Sequence, residues 1–408
     1  MSLALRIGVS LIVVLLASGV ASYVERRASW AFGLSRSSRR ALASVVALGI
    51  VAALVSRALG SEHAQLALAL GMFGGATLLG LVISSVFLLP VDIAQLAARK
   101  LARARGRAPA SSAPAVERQS EPAPDAPSMP ERRAFLARAA AGGAITLGMG
   151  SAFYGTLFGR HDYSVETVPI RLAKLPRALD GLSIVQLSDI HVGTFVGERE
   201  LAAALELVGR ARPDLVVLTG DLIDHEIQYA PMLARFTRAL KSCTRYGVFA
   251  VPGNHDHYAG AATVMRMLGE AGTEVLLNRH VRIGDERASI VLAGVDDVAG
   301  PRFGSAGPEL SQAFAGAPDD LPRVLLSHNP VFFPRSRRHA DLTLSGHTHG
   351  GQITLFVNPA KLVLRHGLVR GHYAVGDSQL YVNRGFGTAG PPARIGSPPE
   401  ITKLVLTT

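Results

Sequence analysis

The sequence predicts a chain of two parts: membrane-spanning α-helices at the N-terminus and an α/β domain at the C-terminus. Three observations carry this reading. Apolar stretches of bilayer length fill most of the first 90 residues. From about Tyr163 onward, short apolar runs alternate with segments of helical periodicity. The charge balance also changes between the parts. Residues 1–160 carry 17 Lys+Arg against 7 Asp+Glu, and residues 161–408 carry 25 against 24. The formal net charge of +11 therefore belongs to the N-terminal part. Basic residues beside apolar stretches set membrane orientation, so no nucleic-acid partner is expected. The single cysteine, Cys243, excludes an intrachain disulfide and any CxxC motif.

Taking the elements in order, Leu3–Ala21, Ala41–Leu59 and Leu66–Leu89 are each about long enough to span a bilayer. A fourth stretch, Phe135–Phe158, is richer in Ala and Gly. None carries a charge near its centre, which argues for an anchor and against an ion or proton path. The loops Glu25–Arg40 and Val91–Arg133 are rich in arginine, whereas the Gly60–Gln65 turn has no Lys or Arg. The positive-inside rule then puts both basic loops in the cytoplasm and everything after Phe158 outside. Ala108–Pro130, rich in Pro, Ala and Ser, reads as a disordered linker. Arg132-Arg133 just before Phe135-Leu136 resembles a twin-arginine export signal, and reads equally as the basic flank of a fourth span. The expected organisation is a three-span region (1–90), a basic Pro/Ala-rich cytoplasmic linker (91–133), a fourth span or twin-arginine-like signal-anchor (134–160) and the α/β domain (161–408).

Within that domain, Leu182–Asp189, Leu215–Asp221, Gly247–Asp256, Arg323–Pro330 and Asp341–Gly351 are apolar runs that each break into polar residues at their C-terminal end. Gly197–Ala211 and Tyr229–Ser242 read as the helices between the first strands. In such sheets, ligands bind beyond the carboxyl ends of strands. Those ends read SDIH (Asp189, His191), GD (Asp221), GNHD (Asn254, His255), SHN (His328) and SGHTHGG (His347, His349). Strand alternation is expected to send His347 and His349 to the same side, with the glycines allowing close backbone approach. Two neutral imidazoles aimed at one spot suggest a metal.

Asp-x-His, Gly-Asp, Gly-Asn-His-Asp, a single His and Gly-His-x-His, in this order, resemble the calcineurin-like metallophosphoesterase superfamily. The resemblance covers about Asp180 to Thr408. It implies a sandwich of two mixed β-sheets flanked by helices, with a dinuclear metal site at the strand ends. Matched position by position, Asp189, His191 and His349 hold one metal, Asn254, His328 and His347 hold the other, and Asp221 bridges them. This set of nitrogen and hard oxygen donors suits Mn, Fe or Zn. The resemblance implies hydrolysis of a phosphate mono- or diester by a metal-bridging hydroxide, with His255 as general acid and Asp224 as its carboxylate partner. The protein Ser/Thr phosphatases have Arg and Glu where this chain has His225 and Asp256, which argues against that branch. SGHTHGGQ, GVDD (Gly294–Asp297) and PPEI (Pro398–Ile401) instead resemble a bacterial membrane-anchored branch. That resemblance implies a bacterial inner-membrane anchor, and the apolar stretches and loop charges make it multi-pass with the catalytic domain on the extracytoplasmic side. Only a few residues separate Phe158 from the first strand near Tyr163, so an anchored domain is held against the bilayer and a phosphate ester of a lipid or envelope glycolipid is one expected substrate. The twin-arginine machinery is the partner expected for export if Arg132-Arg133 form such a signal. His225, His257, His280, His339 and His372 are expected to be surface groups or to lie behind the ligands, and Asp296 and Asp297 either approach substrate or form a turn.

Two other readings are compatible with the motifs. One is a UDP-2,3-diacylglucosamine pyrophosphate hydrolase of lipid A synthesis, whose substrate is cytoplasmic and so conflicts with the loop charges. The other is an inactive receptor or scaffold, which would be expected to lack a ligand or the acid.

Overall fold

A computed structural model describes residues 3–59, 63–105, 129–364 and 367–408. The chain forms two compact units, Met1–Ala58 with Ala69–Tyr154 and Leu59–Leu68 with Gly155–Thr408.

The first unit is built from α1 (Leu3–Phe32), α2 (Arg36–Ala58) and most of α3 (Ala64–Arg105) and α4 (Met129–Leu157). Ala21, Val24 and Ala28 on α1 pack with Val46 on α2, Leu81 and Leu88 on α3, and Ala141, Ala144 and Ile145 on α4. Small residues set these crossings. A Cβ on Gly74 would lie 2.4 Å from Ala53 N, and one on Gly148 would lie 2.5 Å from Ser84 N. Close backbone approach at glycine is how helices associate where no hydrophobic effect drives them together. Among the described residues, Arg36–Ala58 and Ala64–Ala98 are long and apolar enough to cross a membrane, by length and composition.

The helices differ from the expected spans at their ends. Most of the expected Glu25–Arg40 loop is helical, because α1 continues to Phe32 and α2 starts at Arg36. Arg27, inside α1, pairs with Asp92 at 2.7 Å and lies over the Trp30 ring. Likewise α3 does not stop at Leu89 but runs through Pro90 into the basic segment. A proline removes one helical hydrogen bond, and the Ala-, Leu- and Arg-rich residues that follow favour continuing the helix. Arg132 and Arg133 lie within the start of α4. Residues 60–62 of the short turn and 106–128 of the linker lie outside the described residues.

Among its described residues, the second unit contains twelve strands in two six-stranded sheets. They are β1 (Ser164–Arg171), β2 (Ser183–Leu187), β3 (Leu215–Thr219), β4 (Val248–Val251), β5 (Glu274–Val275), β6 (Arg279–Gly284), β7 (Ser289–Gly294), β8 (Arg323–Leu326), β9 (Leu342–Ser345), β10 (Gly371–Val375), β11 (Ser378–Val382) and β12 (Glu400–Thr407). The orders are β1-β12-β2-β3-β4-β5 and β10-β11-β9-β8-β7-β6. Both sheets are mixed: β12–β2, β10–β11 and β6–β7 are antiparallel, and the other pairs are parallel.

The apolar runs are continuous because these strands are buried on both faces. Ile184, Leu215, Val217, Phe249 and Val251 meet Ile290, Leu292, Val324, Leu326, Leu342 and Leu344 between the sheets. The alternate residues Val185, Leu187, Val216, Leu218 and Ala250 pack under α5 (Glu198–Ala211), α6 (Ala230–Lys241) and α8 (Ala261–Glu270), the last of which follows the short α7 (Asn254–Ala259). On α5 the contacts are Leu201, Ala204 and Val208, one stripe of the helix. Val291, Ala293 and Leu325 close the outer face of the second sheet with Leu310, Phe314 and Phe332. The result is the expected sandwich of two mixed sheets flanked by helices. It brings the C-terminal ends of β2, β3, β4, β8 and β9 to one region.

Candidate metal centre

Each of those five strand ends delivers predicted site residues within a few positions of its last strand residue. Asp189 and His191 follow β2, Asp221 follows β3, and Asn254 opens α7 after β4; His328 follows β8, while His347 and His349 follow β9. Two groups form. Asp189, His191 and His349 offer ligand atoms that all lie within 4.8 Å of one another, and so do Asp221, His328 and His347. His349 Nε2 is 3.4 Å from Asp189 Oδ1 and 3.1 Å from His191 Nε2. His328 Nε2 is 3.2 Å from both Asp221 Oδ2 and His347 Nδ1. The same Asp221 Oδ2 is 3.8 Å from His191 Nε2, so its carboxylate faces both groups.

The expected alternation of His347 and His349 does not occur. Both residues lie beyond β9, in left-handed backbone with φ of 71° and 51°, and their rings enter different groups. Asp189, His191 and Asp221 share this conformation, so five of the eight non-glycine residues with positive φ among the described residues are predicted ligands. Such backbone is unfavourable for a residue with a Cβ and persists where the surroundings over-determine it. The glycine of SGHTH is required by close packing: a Cβ on Gly346 would lie 1.9 Å from Ser188 Oγ and 2.2 Å from Asp189 Oδ2.

The donor set fits a pair of metal ions. His328 Nδ1 donates to Thr219 O at 2.8 Å, which leaves Nε2 with its lone pair toward Asp221. Asn254 Oδ1 is buried with no hydrogen-bond partner, an acceptor that a cation would satisfy. Burial acts to raise the pKa of Asp221, but His328, His191 and His255 hold it well below the usual carboxylate range. Burial acts to lower His328, yet Asp221, with Asp189 and Asp297 further away, raises it well above the usual imidazole value. The carboxylates thus demand positive charge here. Burial, His191 and Arg394 hold His349 well below the usual value, in the neutral form a ligand needs.

His255 and Asp224 sit beside the pair. His255 Nδ1 lies 2.9 Å from the Asp224 carbonyl oxygen and 3.3 Å from its Oδ1. Asp224 Oδ1 is also 3.5 Å from His191 Nδ1 and 2.9 Å from His225 Nδ1. One carboxylate therefore serves three histidines, where the sequence suggested one. Burial acts to raise Asp224, and its hydrogen bonds to these histidines hold it well below the carboxylate range. For His255, burial acts to lower the pKa, but Asp224 and Asp221 raise it. His225 packs edge-on against His255, with ring centroids 4.5 Å apart, and stacks near Tyr258.

Six further residues support the site in ways their sequence context did not reveal. Asp256 Oδ1 accepts from Leu222 N and Ile223 N, and its Oδ2 accepts from Gly253 N, so it clamps the β3 and β4 loops together. His257 and Asp296 form a buried pair at 2.8 Å, and Asp296 also accepts from Ser305, which makes it an anchor for α7. Asp297 is buried, and its Oδ1 accepts from Ala299 N. Arg394, 1% exposed, donates to the carbonyls of Gly385, Gly387 and Ser397 and lies 3.2 Å from His349 Nδ1. Its PPARIG context reads as an ordinary loop, and no spacing signals burial. Within PPEI, Glu400 is buried and accepts from Tyr381 Oη at 2.6 Å and pairs with Arg384 at 3.0 Å. His280 bonds to Ala313 O and His372 to Gln379, both away from the centre.

The fold and the two adjoining His/Asp groups define an α/β sandwich with two candidate metal-binding groups at its strand ends. A family model described as calcineurin-like phosphoesterase matches residues 182–351. The uncharacterized metallophosphoesterase YkuE of Bacillus subtilis is 32% identical over 286 residues, 67% of this chain and 97% of that protein. An uncharacterized metallophosphoesterase of Aquifex aeolicus is 33% identical, over 59% of this chain and 91% of its own. A zebrafish (Danio rerio) transmembrane protein with metallophosphoesterase domain is 36% identical over 62% of this chain. The match spans 60% of that protein and 59% of its cattle (Bos taurus) counterpart. The chain belongs to the calcineurin-like metallophosphoesterases.

Removing the Arg394 guanidinium takes the side-chain donor from the buried Gly387 and Ser397 carbonyls, at about 1–3 kcal/mol each before relaxation, while Gly385 O keeps Glu400 N. Arg394→Ala is therefore expected to lower the Tm of the second unit by roughly 5–15 °C in a thermal melt. An unchanged Tm would show that the buried guanidinium does not brace the loop behind His349.

Proposed function

We propose that the protein is a membrane-tethered, dinuclear metal-dependent phosphoesterase that hydrolyses a phosphate mono- or diester. The observation that carries this is Asp221, a buried carboxylate facing two separate His-containing groups. In this reading Asp189, His191 and His349 hold one ion, Asn254, His328 and His347 hold the other, and Asp221 is shared. Mn, Fe and Zn suit these donors. Two such ions, when bound, neutralise charge on the phosphoryl oxygens and make a water acidic enough to react at neutral pH. The chain's own residues do the rest. His255 presents Nε2 toward the leaving oxygen while the Asp224 carbonyl and carboxylate hold Nδ1, which fixes the ring and favours its protonated form. That proton passes to the departing alkoxide. All seven ligand positions and His255 are filled, which favours an enzyme over an inactive scaffold.

Membrane attachment is supported by the two qualifying helices and by relatives described as transmembrane proteins with a metallophosphoesterase domain. The loop charges favour an extracytoplasmic catalytic domain at a bacterial inner membrane. The short connection between Leu157 and Ser164 favours a lipid or envelope-glycolipid ester as substrate, because an anchored domain meets such an ester at high effective concentration. The loop charges also bear on the alternative substrate. They disfavour the cytoplasmic nucleotide-linked substrate of lipid A synthesis. Export through the twin-arginine machinery is the version of this topology in which Arg132 and Arg133 are read as a signal.

Metal analysis with a panel of phosphomonoesters, phosphodiesters and lipid headgroups tests the activity. Asp221→Asn is expected to remove most bound metal and activity together. His255→Asn is expected to keep the metal and lose about 10²–10⁴-fold in turnover, most severely for poor leaving groups. Loss of metal in the His255 variant would make that residue a ligand and overturn its assigned role.

For topology, reporters fused after Leu59 and after Arg160 are expected outside, and one near Ala115 in the cytoplasm. A cytoplasmic signal after Arg160 would overturn the export reading and favour the nucleotide-lipid hydrolase. Arg132→Lys with Arg133→Lys blocks export only if the twin-arginine machinery reads the pair.

A further inference from the structure

The two most exposed large apolar side chains among the described residues are in the second unit, on a loop beside the metal centre. Leu362 is 83% exposed and Phe356 81%, with Val363 at 77% and Val357 at 68%. Among the described side chains of α1–α4 the highest value is 71%, at Leu15. Four large apolar side chains exposed within eight residues are a surface feature of the kind that marks an interaction site. In the surrounding sequence the charge is of one sign. Between Leu342 and Gly376 the sequence has Lys361, Arg365 and Arg370 and no Asp or Glu. Apolar side chains at the tip with cations at the flanks are the composition of a segment that enters the headgroup region of an anionic bilayer.

The loop is fixed to the site. Asn358 Nδ2 donates to Gly350 O at 3.0 Å, and Asn358 Oδ1 accepts from Ala360 N at 3.1 Å. Thr348 Oγ1 donates to Val369 O at 2.5 Å. Asn358 within the segment and Val369 beyond it therefore both hold the turn that carries His347 and His349. What the tip touches is set a short, braced distance from the metal ligands.

We infer that Phe356, Val357, Leu362 and Val363, flanked by Lys361 and Arg370, form a membrane-docking loop that inserts into the surface of an anionic bilayer beside the active site. This rests on the membrane-tethered reading above. Only six residues separate α4, ending at Leu157, from β1, starting at Ser164. They reach about 20 Å when extended, less than the roughly 35–45 Å width of a domain of this size. The second unit therefore stays near the bilayer, and a docked loop selects which face it presents. The metal ligands are then held at headgroup depth, where the phosphate of a lipid ester lies.

The test uses the full chain with Trp30, its only tryptophan, replaced by Phe. Phe356→Trp and, separately, Leu362→Trp then serve as reporters in proteoliposomes of phosphatidylethanolamine and phosphatidylglycerol. Both are expected to show blue-shifted emission, quenching by lipids brominated on the acyl chains, and protection from aqueous iodide. Replacing phosphatidylglycerol with phosphatidylcholine is expected to weaken the bromolipid quenching. Red emission with full iodide quenching from both reporters would overturn the inference. So would protection from iodide without bromolipid quenching, which would mean that protein, such as a second copy of the chain, covers the loop. A chain that remains in the aqueous fraction and does not reconstitute would overturn the membrane-tethered reading itself, an outcome distinct from a reconstituted chain with water-exposed reporters.

Discussion

Three buried carboxylates that accept hydrogen bonds from backbone N–H groups hold the strand ends together, and the rest of the site depends on them. Asp189 accepts from His347 N at 2.9 and 3.0 Å and so ties the loop after β2 to the loop after β9. Asp221 accepts from His255 N at 2.8 Å, joining the loop after β3 to α7. Asp256 joins the same two loops from the other side. Hydrogen bonds to an ionised acceptor are about twice as strong as neutral ones, and here they are shielded from water. The carboxylates that could hold metal therefore also position the imidazoles around it. That double use explains why the ligand loops are short, strained and rigid.

The strain has a physical counterpart in the sheets. Left-handed backbone at five predicted ligand positions is sustained by strands buried on both faces and by glycines whose missing Cβ leaves room for a carboxylate. Behind His349, the Arg394 guanidinium gathers carbonyls from the loop after β11. Glu400 and Arg384 join β12 to β11 and, through Glu166, to β1. β1, β11 and β12 thereby brace the centre, although none of them supplies a predicted ligand.

Much of this was legible in the sequence, for identifiable reasons. Strands buried on both faces leave continuous apolar runs, and β2, β3, β4, β8 and β9 fall inside the predicted ones. The ligand motifs were legible because each closes such a run. Helix ends were less so: α1 continues past Arg26 and Arg27, and α3 past Pro90, because charged residues and a single proline are compatible with helix once partners such as Asp92 are present. Long-range partners left no periodic signal. Asp256 looked like one more motif residue, His225 like a surface group, and Arg394 like a loop residue. Asp256 reaches Leu222 and Ile223, more than thirty positions away, and Arg394 reaches His349 from 45 positions away. Nothing in the motifs marked the apolar residues of Phe356–Val363, and only their exposure sets them apart.

The central claim is that one carboxylate, Asp221, is shared by two ions. Anomalous-difference diffraction from crystals of the manganese-loaded protein tests it most directly. The account predicts two peaks about 3.5–4 Å apart, one within bonding distance of Asp189, His191 and His349, the other of Asn254, His328 and His347, with Asp221 contacting both. A single peak, or two peaks with Asp221 bound to only one, would contradict it.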